Sequence, residues 1–337
     1  MSFTRIFQMN SQDILTVLRP TAVYDSYWKF AAERQEIFFR RYDSEPLDCW
    51  TQDPILINYK FTNAYRASDR VSQFLIDSVI YSGDQAPEEI FFRVILFKLF
   101  NKIETWKNLR EKLGGNPAYA SFDMSLYGSI LTSARQAGER IYSGAYISPS
   151  GVSSFGFREK HMNHLSLLAR MMEDDLACGV ANAESLESVY QLFTSYPMIG
   201  PFIGYQLTID VNYSELVDFS EMDFVVAGPG ARDGISKCFE NFEAFPSADI
   251  IQFVTENQQA EFAERGISFR NLFGRDLQLI DCQNLFCEIG KYARVKHPDV
   301  LGVSGRTRIK QKFRANHTPI SYTYPPKWGI SADKNET

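Results

Sequence analysis

Apolar and polar positions along the chain recur mostly at helical spacing. From Ser26 to Tyr42, aromatic and charged residues alternate with that period, which predicts an amphipathic helix. Glu88 to Glu104 is apolar nearly all round and leaves no polar face for water, so it predicts a central buried helix. Glu159 to Leu176 and Ser185 to Ser195 predict two more amphipathic helices. Ser185 is an N-cap candidate; Ser188 rather than Glu or Gln stands three positions on, so no capping box is expected. Apart from the short run Phe224-Val225-Val226-Ala227, no strand-like series or βαβ rhythm appears, and there is no internal repeat. The pattern predicts one all-α domain over residues 1–316. From His317 to residue 337, paired prolines and polar residues predict an extended tail.

Composition sharpens this reading. Of 337 residues, 45% are hydrophobic and 23% charged, enough to bury a sizeable core and too apolar for disorder. The formal net charge of −6 excludes a generally basic nucleic-acid coat, so any such contact needs a local patch. The stretch Lys291–Arg314 is such a patch: its acidic residue is Asp299, among Lys291, Arg294, Lys296, Arg306, Arg308, Lys310, Lys312 and Arg314. A solvated basic face is its ordinary alternative. No apolar stretch approaches the ~18 residues of a membrane span. The start lacks the features of a signal peptide. The expectation is a cytoplasmic monomer with no membrane partner. Five cysteines without a C-x-x-C pair read as reduced thiols, and neither an iron–sulfur cluster, a metal nor another cofactor is expected. His161 and His164 stand at i, i+3, but no further ligand lies near them in sequence.

Two turns carry candidate chemistry. In Tyr196–Gln206 a helix ends before Pro197, a turn follows, and a second helix begins near Pro201, where proline suits a first helical position. Backbone N–H groups at such a helix start can bind a phosphate, and Gly204 lets the two helices approach closely. The element resembles the helix-hairpin-helix of base-excision DNA glycosylases, with Met198 in place of the first glycine; a plain connector fits the residues as well. In Glu221–Gly234, Asp223 falls where that superfamily's catalytic aspartate follows the hairpin, and such a carboxylate can stabilise a sugar cation at C1′. Gly228-x-Gly230 is followed by Gly234 at the wrong spacing for a dinucleotide fingerprint, and an ordinary capped turn is the alternative. No G-x-x-x-x-G-K-[ST] occurs, which excludes a phosphate-loop kinase within these residues.

Two further blocks complete the set. Trp50-Thr51-Gln52-Asp53-Pro54-Ile55-Leu56 continues to Phe61-Thr62-Asn63-Ala64-Tyr65-Arg66, and Cys287-Glu288 is followed by Lys291-Tyr292 and Arg294. On a helix, Cys287 and Lys291 share a face, as do Glu288 and Tyr292. On residue chemistry alone, a structural Glu–Lys ion-pair network accounts for them equally well. With Gly144-Ala145-Tyr146-Ile147, the Gly-Pro-Phe-x-x-Tyr-Gln hairpin and Gly228-Pro-Gly-Ala, these blocks resemble a known family over residues 26–313. It is the helical domain shared by α-glutamyl/putrescinyl-thymine pyrophosphorylases and 5-hydroxymethyluracil DNA kinases of phage base hypermodification. The resemblance implies a helix-hairpin-helix glycosylase-like fold acting on a modified pyrimidine in double-stranded DNA.

The leading expectation is a DNA N-glycosylase that flips out and excises a bulky hypermodified pyrimidine, such as glucosylated 5-hydroxymethylcytosine of phage DNA, in anti-phage defence. Asp223 then stabilises the sugar cation and activates water, with Gln206 and Asp210 one turn apart beside it. Phe202 stands where a bifunctional glycosylase has its lysine, so an intact abasic strand is expected. Asp53, Asn63, Tyr65, Arg66, Tyr205, Glu288, Lys291 and Tyr292 read the base or its adduct. DNA contacts fall to Ile199, Gly200, Phe202 and Gly204, to Gly228, Gly230 and Lys237, and to Arg294, Arg306, Arg308 and Lys310. The alternative is a transferase that hypermodifies 5-hydroxymethyl-pyrimidine bases and leaves the glycosidic bond intact. A second alternative is a non-catalytic module that recognises modified DNA.

Overall fold

The computed structural model describes residues 9–144, 148–150, 154–315, 321–330 and 332. Its α-helices in chain order are α1 (Ser11–Leu18), α2 (Ala22–Tyr42), α3 (Pro54–Asn58), α4 (Arg70–Leu75), α5 (Pro87–Phe100), α6 (Ile103–Leu113), α7 (Met124–Gln136) and α8 (Lys160–Glu173). There follow α9 (Leu176–Ala181), α10 (Leu186–Thr194), α11 (Pro201–Asn212), α12 (Pro229–Cys238), α13 (Ser247–Glu256), α14 (Gln258–Glu264) and α15 (Leu279–Lys296). Among the described residues there is no strand beyond isolated bridges, such as Tyr59 with Lys312, so the protein is mainly helical. The run Phe224–Ala227 is irregular chain without a pairing partner strand.

Where the sequence predicts one domain over 1–316, the chain gathers into two compact units. One combines Met1–Asp69 with Phe224–Tyr322, the other Arg70–Asp223 with Thr323–Thr337. Local periodicity does not register this division, because α2 packs on α12 and α15 far along the chain.

In the first unit, Tyr24, Tyr27 and Trp28 of α2 are fully buried. Tyr27 stacks at a tilt on Phe286 of α15, ring centroids 4.6 Å apart, and Trp28 meets Phe262 edge-on at 4.8 Å. The α12–α15 crossing is closer still. A Cβ on Gly290 would lie 3.0 Å from Gly234 Cα, and one on Gly234 would collide with the Phe286 carbonyl. Gly230, one turn earlier on α12, sits against Cys287 in the same way. Backbone touches backbone here because these positions carry no side chain.

In the second unit, every residue from Glu89 to Phe100 of α5 is buried, as its all-round apolar character predicts. The helix stops short of the expected Glu104. Asn101 adopts a left-handed conformation (φ 48) and its side chain accepts from Lys98 Nζ at 2.8 Å, which suits a C-cap. Likewise the predicted helix Glu159–Leu176 divides at Asp175 (φ 53) into α8 and α9. Arg93 of α5 is 1% exposed and donates to the carbonyls of Val79 and Ile80, at the end of a π-turn over Ile76–Ile80, and to that of Asp84 in the loop that follows. A capping box closes α10 after all: Ser185 N donates to Ser188 Oγ at 2.9 Å and Ser188 N to Ser185 Oγ at 3.1 Å. A serine hydroxyl has acceptor lone pairs of its own and, at this distance, closes the box in place of a glutamate.

The expected tail is not wholly extended. His317 lies outside the described residues. Beyond it Tyr322 packs on Phe38 (4.8 Å), and Pro326–Trp328 form a 3₁₀ turn whose Lys327 ammonium donates to the Ser214 and Val217 carbonyls. Residues 145–147 of the Gly144–Ile147 block also fall outside the description.

Candidate functional site

Three sequence blocks of the first unit meet in one polar cluster. Asp53 caps α3: its Oδ1 accepts from Ile55 N at 2.7 Å and Leu56 N at 3.3 Å, with Pro54 at the first helical position. Its second oxygen accepts from the Tyr292 hydroxyl of α15 at 2.6 Å. Thr51 links this cap to α2, donating to Glu33 at 2.5 Å and accepting from Asp53 N at 3.1 Å.

The next block is held by the same helix. Glu288 Oε2 accepts from Thr62 N at 3.0 Å and from Lys291 Nζ at 2.7 Å, while Lys291 also donates to the Lys60 carbonyl at 2.8 Å and lies over the Phe61 ring. Arg34 of α2 donates to the Thr62 carbonyl at 2.9 Å and to Asn63 Oδ1 at 3.2 Å. Asn63 in turn donates its N–H to Asp69 at 2.8 Å and its amide to the Ser68 carbonyl at 2.7 Å. The Arg66 N–H is taken by Asp281 at 2.7 Å. Tyr65 donates to the Arg275 carbonyl at 2.6 Å and accepts from Leu272 N.

Burial sets the electrostatics. Desolvation pushes the Asp69 carboxyl up to about 7, reinforced by Glu288 and opposed by the Asn63 N–H, Arg34 and Arg66. Burial also lowers Arg34 and raises the Tyr292 hydroxyl, with Asp53 adding to the latter. The Cys287 thiol is pushed up to about 12, chiefly by burial and then by Glu288, so it is protonated and no thiolate nucleophile stands here. Thr62 Oγ1 is buried in the cluster without a hydrogen-bond partner.

Glu33, Arg34, Thr51, Asp69 and Asp281 extend the set that sequence reasoning singled out. Glu33 and Arg34 sit within an amphipathic helix, where a charged residue looks like ordinary solvated surface. Their signal is positional: they lie between the buried Ala31 and Gln35 rather than on an open face.

A second feature of this unit is the start of α12. Gly228 is its N-cap, and Pro229 opens the helix. Behind it Asp233 Oδ1 accepts from Ser304 N at 2.9 Å, and Arg294 donates to the Arg308 carbonyl at 3.2 Å. Lys237 is 1% exposed and donates to the Gly290 carbonyl at 2.8 Å. That placement corrects the expected phosphate contact, since its ammonium is spent inside the helix crossing. Arg306, Arg308 and Lys310 are exposed.

The hairpin residues belong to the second unit. Met198 takes a left-handed φ of 67, a backbone state that favours glycine. Gly200 is the exposed N-cap of α11, Phe202 is half-buried, and Ile199 is buried. A Cβ on Gly204 would come 2.6 Å from Thr194 Cγ2, which accounts for the close helix pair. Tyr205 and Gln206 lie in the interior. Asp210 is fully buried and pairs with Lys98 at 3.1 Å, so its charge serves the core. Asp223 is exposed on a turn, its N–H donating to the Ser220 carbonyl. His161 is occupied by Thr132 and Arg135, and His164 by Tyr142 and the Pro149 carbonyl. Burial lowers both, His164 to about 4. With each ring engaged by protein groups, the i, i+3 pair is a packing feature.

The chain is similar to known proteins over most of its length. Residues 21–302 match the family model described as the 5-hmdU DNA kinase, helical domain. A protein of Bacillus phage SP10 named 5-hmdU DNA kinase is 26% identical over 288 residues, which cover 80% of this chain and 45% of the relative. The chain therefore spans about half the length of that curated relative. No solved structure matches it. These matches overturn the leading expectation of a hydrolytic DNA glycosylase: the relative bears the name of a kinase, which is a transferase, and not of an enzyme that cleaves the N-glycosidic bond. A likeness at the level of fold does not dictate which bond is broken.

Proposed function

The chain belongs to the family of the 5-hmdU DNA kinase helical domain, and from that premise we propose that it is a transferase domain acting on 5-hydroxymethyl-pyrimidine bases in double-stranded DNA. The base stays attached to its sugar. The observation that carries this reading is the meeting of the Trp50, Phe61 and Cys287 blocks in one polar cluster, through Asp53–Tyr292, Thr62–Glu288 and Lys60–Lys291. Packing alone does not call for so many directed polar groups in one place. In this reading Asp53, Asn63, Arg66, Glu288, Lys291 and Tyr292 frame the base and its 5-substituent, with Tyr65 bracing the Arg66 loop. The helix-hairpin-helix turn at Met198–Gly200, the Gly228–Gly230 turn and the Arg294–Lys310 arm contact phosphates.

The reaction that the family resemblance implies is substitution on a 5-hydroxymethyl group already activated as a pyrophosphate ester. An amine nitrogen bonds to the methylene carbon, pyrophosphate departs with the C–O electrons, and the amine proton passes to a carboxylate. Phosphoryl transfer through a phosphate loop is foreign to a sequence without that signature. The same fact favours a second reading, in which the domain recognises modified DNA and a partner performs the transfer.

Mass spectrometry of nucleosides separates the readings. Duplexes carrying thymine, 5-hydroxymethyluracil or its pyrophosphate ester are incubated with the chain and an amine donor. The transferase reading expects a heavier nucleoside with its sugar retained. Unchanged DNA with selective binding to the modified duplexes supports the recognition module instead. Equal affinity for all three duplexes, with no product, overturns both.

A further inference from the structure

Among the described residues, the two most exposed large hydrophobic side chains are Leu301 and Val303, at 64% and 56%. Val303 is on a tight turn closed by Gly305 N donating to the Gly302 carbonyl at 3.0 Å, and Leu301 immediately precedes that turn. The turn is fixed from below. Val303 N donates to Ser236 Oγ at 3.1 Å, Ser304 N to Asp233 at 2.9 Å, and Arg294 holds the Arg308 carbonyl. A Cβ on Gly302 would collide with Asp233 Oδ1 and come within 2.8 Å of Lys237 Cε, so the backbone is drawn tightly onto α12. The far end of the arm is tied as well, by Lys60 N to the Gln311 carbonyl and Phe313 N to the Asn58 carbonyl, both at 3.1 Å.

Charge says what such a tip meets. Apart from the exposed Asp299, which precedes the pair, the chain has no acidic residue from 299 to 315, and Arg306, Arg308, Lys310 and Arg314 are exposed along the arm that follows. Two exposed aliphatic side chains on a backbone held by hydrogen bonds, followed along the chain by cations, match a surface that is apolar within and anionic at its edges. A base stack between two phosphate backbones has that character. We propose that Leu301 and Val303 form a wedge that enters the duplex as the modified nucleotide leaves the stack, while the adjacent cations grip the flanking phosphates. The wedge rests on the duplex-DNA substrate proposed above. An extruded base leaves a gap, and filling it with apolar groups offsets the lost stacking.

The full chain is tested on a duplex with 2-aminopurine next to 5-hydroxymethyluracil. Wild-type binding, read by anisotropy, should be accompanied by a rise in 2-aminopurine fluorescence. In the Leu301→Ser/Val303→Ser double variant the rise should fall roughly tenfold, while affinity changes by no more than about threefold because the phosphate contacts persist. Ile57→Ser, another exposed aliphatic of the same unit, should behave as wild type. Persistence of the fluorescence rise in the double variant overturns the wedge, as does wild-type binding with no rise at all. Binding to phosphatidylserine vesicles that depends on Leu301 and Val303, with the fluorescence unaffected by their loss, also overturns it and assigns the tip to a lipid surface. Failure of the wild type to bind any duplex removes the DNA reading itself and the wedge with it.

Discussion

The Tyr292 hydroxyl donates to Asp53 Oδ2 at 2.6 Å while the other oxygen of the same carboxylate caps α3. One side chain thus fixes a short helix and ties it to α15. Tyr292→Phe should destabilise the protein by about 1.5–3 kcal/mol, the range for a hydrogen bond to a charged acceptor. Asp53→Ala should cost more, because the cap is lost too, by about another 1 kcal/mol. Urea denaturation of the two variants measures both, and equal losses would show that the cap contributes nothing.

Asp69 predicts a pH dependence. Its folded-state value of about 7 lies above the ordinary 3.8, so the native state holds a proton that the unfolded chain has released. This stabilising contribution is complete below about 3.8 and is lost as pH rises towards 7. Asp69→Asn keeps an acceptor for Asn63 N and removes the charge. The variant should be more stable than wild type at pH 8, by about 1–3 kcal/mol, with the difference shrinking at pH 5. Denaturation at the two pH values checks it, and a pH-independent difference would refute it.

The buried Lys98–Asp210 pair lies in the α5–α11 packing. Asp210→Asn leaves the Lys98 ammonium uncompensated and should cost about 3–5 kcal/mol. Thermal melting of the variant, compared with its residual activity at low temperature, separates this loss from any catalytic one.

At the α12–α15 crossing, Gly234→Ala has no room for its methyl group and should cost about 3 kcal/mol or more. Gly115→Ala, with open space around the added carbon, should be close to neutral. Melting temperatures of the two variants test the contrast.

The exposed arm makes a prediction about salt. Replacing Arg306, Arg308 and Lys310 by Gln should reduce the slope of log affinity against log salt by about 2–3, with little change in preference among duplexes. Binding titrations at several salt concentrations read the slope, and an unchanged slope would make the arm a merely solvated face.

Helices α2, α5, α8 and α10 were legible in the sequence because burying one face of a helix writes a period into the chain. The all-apolar α5 is the plainest case, and the helix start at Pro201 follows from where proline can begin a helix, whereas the helix that Pro229 opens reads in sequence only as a glycine turn. The motif blocks also marked the family, since each combines residue types that local structure alone would not demand. Tertiary structure decided the rest. The breaks at Asn101 and Asp175 depend on single left-handed residues, which a periodic pattern passes over. Asp210 and Lys237 read from sequence as available charges, yet each is neutralised or held by a partner from another helix that only folding brings near. Glu33 and Arg34 became part of the polar cluster because α2 lies beside the Trp50 and Phe61 blocks. Periodicity is a property of neighbours along the chain, whereas burial and pairing are properties of neighbours in space.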